Sequence, residues 1–340
     1  MTPSTLRSAR RVGTAGRAVD IMQPPKAVVR DVQTLAGRLD AAIPAKQLDR
    51  NLLIGTWNIR VFGDVTPKWQ STESDAIMRD LRDVCLIAEI VSRFDVVAVQ
   101  EVRDNLRGLR YLLKRLGPDW GFTLTDVTKG DAGNGERLAF LFDTRRVKPS
   151  GLACELVEPE DAHVAKGAFA RQFARTPYAV SFVSAGQTFI LVTLHVAYGK
   201  ASSGRIPELK GIAEWLSGWA EQEADWKHNV IALGDFNIDR NGDPLYQAFT
   251  STGLTPAPQL ASFDRSIDHA PGHPTYYDQI AWFTDPAKGP VLTLDCTTGG
   301  SVDFVKLLPG RETVHDLSYR ISDHYPIWVE FAVPSPRDYA

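Results

Sequence analysis

Four apolar stretches of the chain each end on a side chain that can bind a metal ion or move a proton. Leu52–Trp57 is followed by Asn58, Asp95–Gln100 by Glu101, Thr188–Leu194 by His195, and Asn229–Gly234 by Asp235 and then Asn237. Two further stretches reverse the order: Asp278 precedes Gln279–Phe283, and Asp323 and His324 precede Tyr325–Val333. Sites in α/β sheets form at the carboxyl ends of strands. All six groups therefore meet on one rim if the last two strands run antiparallel to the first four.

Hydrolysis of a phosphodiester needs a hard cation, a base for water and stabilisation of the leaving oxygen. Oxygen ligands without cysteine suit magnesium or manganese, with Glu101 as the carboxylate ligand and Asn58 as its neutral partner. Asp235, Asn237 and Asp323 complete or duplicate such a metal site, or hold water and phosphate. His195 and His324 are the proton-handling groups, and each needs a carboxylate to fix its tautomer. Asp278 suits His324, and Asp126 is the candidate for His195.

The elements that must position these groups show in the hydrophobic pattern. Short β-rich runs predict strands at 52–57, 95–100, 138–142, 178–183, 188–194, 229–233, 279–283 and 325–333. Helical periodicity predicts helices over 27–43, 73–93, 104–116 and 205–220. Helices scattered among many strands imply an α/β fold of mixed sheets covered by helices. Because the site's pieces run from position 58 to 324, residues 51–334 are expected to form one catalytic domain. Residues 1–50 then make a basic tail with one helix, and 335–340 a C-terminal tail.

Composition narrows the class. With 44% hydrophobic residues among 340, the chain has enough to bury and is not a disordered protein. No apolar stretch approaches the ~20 residues needed to span a bilayer, and no signal peptide is visible, so the expected location is cytoplasmic. Cys85, Cys154 and Cys296 lie far apart, which argues against a thiolate metal site and fits a reducing compartment. Residues 1–50 carry a net charge of +5 and the remainder −8, so contact with a polyanion must be local rather than a broad basic face. Arg103, Arg107, Arg110 and Lys114 recur at helical spacing; Arg110 and Lys114 are read as a solvated helix face.

Six motifs also carry a family resemblance. Thr56-Trp57-Asn58-Ile59-Arg60-Val61-Phe62-Gly63, Gln100-Glu101-Val102-Arg103-Asp104, Thr193-Leu194-His195, Gly234-Asp235-Phe236-Asn237, Tyr277-Asp278 and Ser322-Asp323-His324-Tyr325-Pro326 follow one another in this order. In that respect residues 52–333 resemble the endonuclease/exonuclease/phosphatase superfamily, and within it deoxyribonuclease-I-like enzymes. The resemblance implies a four-layer α/β sandwich of two packed β-sheets flanked by helices. It makes Glu101 the principal metal ligand with Asn58 beside it, His195 and His324 the catalytic pair, and Asp278 the partner of His324. Asp235, Asn237 and Asp323 match phosphate, water or second-metal positions, while Arg103 and Arg175 match positions that touch nucleic acid. The chain departs from the pattern in two places. The glutamate that partners the first histidine has no clean counterpart, since Asp126 aligns only with a one-residue shift. Arg60 stands where abasic-site enzymes of the exonuclease III type carry an aspartate, and those enzymes lack the histidine seen at 195.

These features together predict a divalent-metal-dependent endonuclease acting on DNA, with RNA as a further substrate. The alternative enzyme is a phosphodiesterase or phosphatase for phospholipids or inositol phosphates. A catalytically inactive binding scaffold is the other class, and the full set of site residues argues against it. No protein partner is deducible.

Overall fold

The computed structural model describes residues 19–128, 134–156, 175–198, 202–224, 229–267, 275–285, 289–310 and 312–333. The basic residues before Val19 and the C-terminal tail lie outside them.

The strands are β1 (Asn51–Phe62), β2 (Val96–Arg103), β3 (Trp120–Leu124), β4 (Glu136–Asp143), β5 (Lys148–Glu155), β6 (Tyr178–Ser184), β7 (Gln187–His195), β8 (Asn229–Ile238), β9 (Leu254–Pro256), β10 (Tyr276–Asp285), β11 (Gly289–Pro290), β12 (Asp295–Ser301) and β13 (Ile327–Ala332). The helices are α1 (Lys26–Ala42), α2 (Leu81–Val91), α3 (Arg107–Leu116), α4 (Ser202–Ala224), α5 (Pro244–Phe249), α6 (Phe304–Leu307) and α7 (Val314–Arg320). All eight expected strands form. The others (β3, β5, β9, β11 and β12) lie at or beside sheet edges, where a strand with one flank open needs no continuous apolar run. The helix expected over 73–93 begins only at Leu81. Asp80 ends the preceding loop by accepting hydrogen bonds from the N–H groups of Arg82 and Asp83, while the Asp83 carboxylate accepts from the N–H of Asp80.

One sheet has the order β12-β13-β1-β2-β4-β3; the other runs β11-β10-β8-β7-β6-β5, with β9 added beside β10. Each is mixed around one parallel pair, β1 with β2 and β7 with β8. As the site requires, β13 runs antiparallel to β1, and β10 antiparallel to β8. Alternating side chains of the two sheets face each other in a buried layer that includes Ile54, Ala98, Phe140, Phe182, Leu191 and Leu233. The outer face of the first sheet is covered by α1, α2 and α3, and that of the second by α4 and α5. The result is the expected four-layer sandwich. Among the described residues, no helix is long and apolar enough to cross a membrane.

Helix α1 is part of this packing. Val28, Val32, Leu35 and Leu39 are buried at i, i+4, i+7 and i+11 and join the core beneath α2. Arg82 on α2 also pairs with Asp31 at 2.7 Å. Leu35→Ala should cost about 2–5 kcal/mol of unfolding free energy, read by urea denaturation, with activity per folded molecule unchanged.

Candidate active site

The site begins with a distortion. The register of β1 on β2 breaks between Asn58 and Phe62, and that of β2 on β4 between Val99 and Val102. Within these bulges Val61 (φ 46°) and Glu101 (φ 60°) both adopt left-handed backbone conformations. For a β-branched residue such as Val61 this is strained, and such strain collects at functional sites. The bulges turn the Glu101 side chain across the rim, where Oε2 accepts a hydrogen bond from the Val61 N–H at 2.8 Å. Asn58 Nδ2 donates to Glu101 Oε1 at 3.2 Å and to Asp235 Oδ2 at 3.0 Å, joining the two sheets.

Buried polar groups hold the surrounding loops. Ser322 Oγ donates to the Asn58 carbonyl at 2.6 Å and accepts from the N–H of His324 at 3.1 Å. Trp57 Nε1 donates to the His324 carbonyl at 2.8 Å. The buried Arg79 guanidinium donates to the carbonyls of Arg60, Val61, Arg320 and Ile321, tying the end of β1 to the turn that carries Asp323. Burial lowers its pKa to about 10. Arg265, also buried, donates from Nε to the Asp278 carbonyl at 2.8 Å.

Two histidine–carboxylate dyads converge on Asp235. His324 Nδ1 lies 2.6 Å from Asp278 Oδ2, and His195 Nδ1 lies 3.0 Å from Glu136 Oε2. Their Nε2 atoms stand 3.9 Å and 3.5 Å from the same oxygen, Asp235 Oδ2. Burial opposes a charged His324, but the Asp278 carboxylate overrides it and lifts the imidazole pKa to about 10. Burial also raises the carboxyls of Asp278 and Asp323. It would raise Glu136 as well, yet the neighbouring His195, Arg175 and Arg103 hold that carboxyl below its usual value. Asp235 is fixed through Oδ1, which accepts from the Asn237 N–H at 2.9 Å, and Asn237 Nδ2 donates to the Val196 carbonyl. Gly234 permits this crossing. At φ 141° its backbone passes so close to β7 that a Cβ would lie 2.1 Å from the Leu194 carbonyl oxygen.

Asn58, Glu101, His195, Asp235, Asn237, Asp323 and His324 thus line one open cleft of about 280 Å³, with Asp278 behind His324. Tyr198, Ser266 and Tyr277 complete its walls. One expectation is corrected. Asp126 is exposed, its N–H donating to Glu155 and its Oδ1 accepting from the Val127 N–H, and the partner of His195 is Glu136. The sequence carries a signal for it. Glu136 stands just before the run 138–142, and β4 is antiparallel to β2, so its first residues reach the same rim as Asp278. Arg175 is 9% exposed and lies 2.7 Å from Glu136 Oε2, where it braces the dyad. Arg103 sits between Glu101 (3.5 Å) and Glu136 (3.4 Å) with part of its side chain at the surface.

The donor set fits a divalent cation. Asn58 Oδ1 is a buried acceptor without a hydrogen-bond donor, next to the Glu101 carboxylate. Ligand atoms of Glu101, Glu136 and His195 also lie within 4.8 Å of one another. Of these, Glu136 is already countered by Arg175, so the Glu101 side is the one left to hold a metal.

Two mixed sheets that bring oxygen donors suited to a hard cation and two carboxylate-held histidines to one rim fit a hydrolase. The chain belongs to the endonuclease/exonuclease/phosphatase family, whose model matches residues 55–324. It is 25% identical over 295 residues to a deoxyribonuclease of Thioalkalivibrio sp. (strain K90mix), covering 83% of this chain and 71% of the relative. To deoxyribonuclease-1 of Bos taurus it is 28% identical over 305 residues, covering 87% and 97%. In fold alone it is similar to the human nocturnin catalytic domain, with a TM-score of 0.56 and 16% identity over 85% of this chain and 96% of that one.

Removing the carboxylate that holds His195 should damage turnover. Glu136→Gln should lower kcat by ~10²-fold, while Asp126→Asn should leave it within about twofold of wild type, as expected of an exposed surface charge. Steady-state rates on one phosphodiester substrate compare the two.

Proposed function

We propose that the chain is a divalent-metal-dependent endonuclease that hydrolyses DNA, with magnesium or manganese as its metal. The observation that carries this is the convergence of two carboxylate-held imidazoles on Asp235, beside Glu101 and Asn58. Likeness to deoxyribonucleases over 83% and 87% of the chain favours DNA over lipid or inositol phosphodiesters.

Glu101 and Asn58 would hold the cation, with Asp235 and Asp323 at the edge of its site. When bound, the metal neutralises the non-bridging phosphate oxygens. The protein's own groups handle the protons. Glu136 engages Nδ1 of His195 and leaves Nε2 to take a proton from water as the water oxygen bonds to phosphorus. Asp278 keeps a proton on His324, which passes to the leaving oxygen as the opposite P–O bond breaks in line. The charge surroundings of the two dyads support this division. The charge of Glu136 is shared among His195, Arg175 and Arg103, whereas the Asp278 side chain faces His324 with its second oxygen unpartnered. Arg103 extends the site towards a backbone phosphate of the polymer.

Supercoiled plasmid should be nicked with magnesium or manganese, stay intact in excess chelator, and be nicked again when the metal is restored. Glu101→Gln should raise the metal concentration needed. An intact plasmid alongside cleavage of an inositol phosphate or phospholipid would overturn the DNA assignment. The division between the histidines has its own test, based on leaving-group basicity. His324→Ala should lower turnover on DNA by ~10²–10⁴-fold but cost far less on bis(p-nitrophenyl) phosphate, whose leaving group needs no proton. His195→Ala should impair both substrates.

A further inference from the structure

Beside the catalytic cleft lies a second cavity of about 400 Å³, walled by Arg60, Val61, Asp64, Ile77, Met78 and Tyr319. The two share a partition. Arg60 pairs with Asp323 at 3.2 Å, and the Val61 N–H donates to Glu101, and both of those acids line the catalytic cleft. The strained Val61 backbone is thus the crest between the two spaces.

The chemistry of this cavity is unlike that of its neighbour. Val61, Ile77 and Tyr319 are exposed by 52%, 37% and 43%, and they gather around one hollow instead of lying scattered. The Arg60 guanidinium lies over the Tyr319 ring, 4.2 Å from its centroid, while part of its side chain stays open. Every charge at the wall is already spoken for. Arg60 is paired with Asp323, Asp64 with Arg107 at 2.6 Å, and Arg79 donates to four carbonyls. A phosphate would find no free cation here. A flat, uncharged, aromatic group would find apolar walls and a guanidinium–aromatic platform, the surfaces on which unstacked bases are held.

We propose that this cavity is a nucleobase subsite. It takes one unstacked base of the nucleotide adjoining the phosphate in the catalytic cleft, with the sugar passing over the Val61 crest. The inference rests on nucleic acid being the substrate. It adds that the enzyme grips a base beside the cut, so a strand whose flanking base is free to swing out binds better than one whose base is stacked in a duplex.

The test uses short single-stranded oligonucleotides carrying one abasic nucleotide, walked along the positions around a mapped cleavage site. Rates are normalised to each protein's own hydrolysis of bis(p-nitrophenyl) phosphate. For the wild type, an abasic nucleotide at one flanking position should raise KM by ~5–100-fold with kcat nearly unchanged. In Ile77→Asp, KM for the intact oligonucleotide should rise comparably and the abasic nucleotide should add nothing further; Ile77→Ala should show the same pattern more weakly. Efficient cleavage with no position penalised, or a penalty that persists undiminished in both variants, would overturn the subsite and leave the endonuclease assignment standing. Hydrolysis of the small diester without cleavage of any oligonucleotide would overturn the nucleic-acid assignment, and the subsite with it.

Discussion

The packing of one sheet on the other sets the chemistry, because each histidine–carboxylate dyad has a member on either side of the gap. His195 ends β7 and meets Glu136 at the start of β4; His324 leads into β13 and meets Asp278 on β10. Asn58, on the first sheet, reaches Asp235 on the second. None of these contacts survives a shift of one sheet over the other, and the layer between them is what forbids it. Phe140 and Phe182, one from each sheet, meet edge to face with centroids 5.7 Å apart. Close-packed interiors of this kind transmit displacement instead of absorbing it, so a change in core volume alters the geometry of both dyads.

The two sheets repeat one plan. The order β13-β1-β2-β4 has the same pattern of directions as β6-β7-β8-β10, a parallel pair between antiparallel neighbours. Under that correspondence Asn58 matches His195, Glu101 matches Asp235, and Glu136 matches Asp278. His324 and Arg175, each three residues ahead of its strand, also match. The arginine contacts Glu136 as the histidine contacts Asp278. One scaffold repeated about the rim therefore carries unlike side chains, and two dyads of similar shape sit in different charge surroundings, with Arg175 and Arg103 beside Glu136.

Much of this was legible in the sequence because buried central strands need unbroken apolar runs and because catalytic groups follow or precede those runs directly. Asp278 and His324 could be assigned to the rim once their strands were required to run backwards. Glu136 obeys the same rule, but the apolar pattern of 138–142 is silent on strand direction, so the sequence alone favours Asp126 no less. Edge strands such as Lys148–Glu155 and Asp295–Ser301 are half-exposed and lack a periodic signature. Nothing in the sequence singles out Arg79 or Arg265, and Arg175 is marked there only as a match to a position that touches nucleic acid. Only the tertiary fold shows that their guanidinium groups are buried among carbonyls and carboxylates.

The order of the site along the chain has a consequence for biosynthesis. The strands of the second sheet all fall between Lys148 and Pro290, yet β13, which pairs directly with β1, comes last among the described strands. Asp323 and His324 immediately precede it. A ribosome-bound chain can complete the second sheet and still lack half of one dyad, with β1 open along one flank. The pairing of His324 with Asp278 is thus completed only after β13 has been made and has taken its place beside β1.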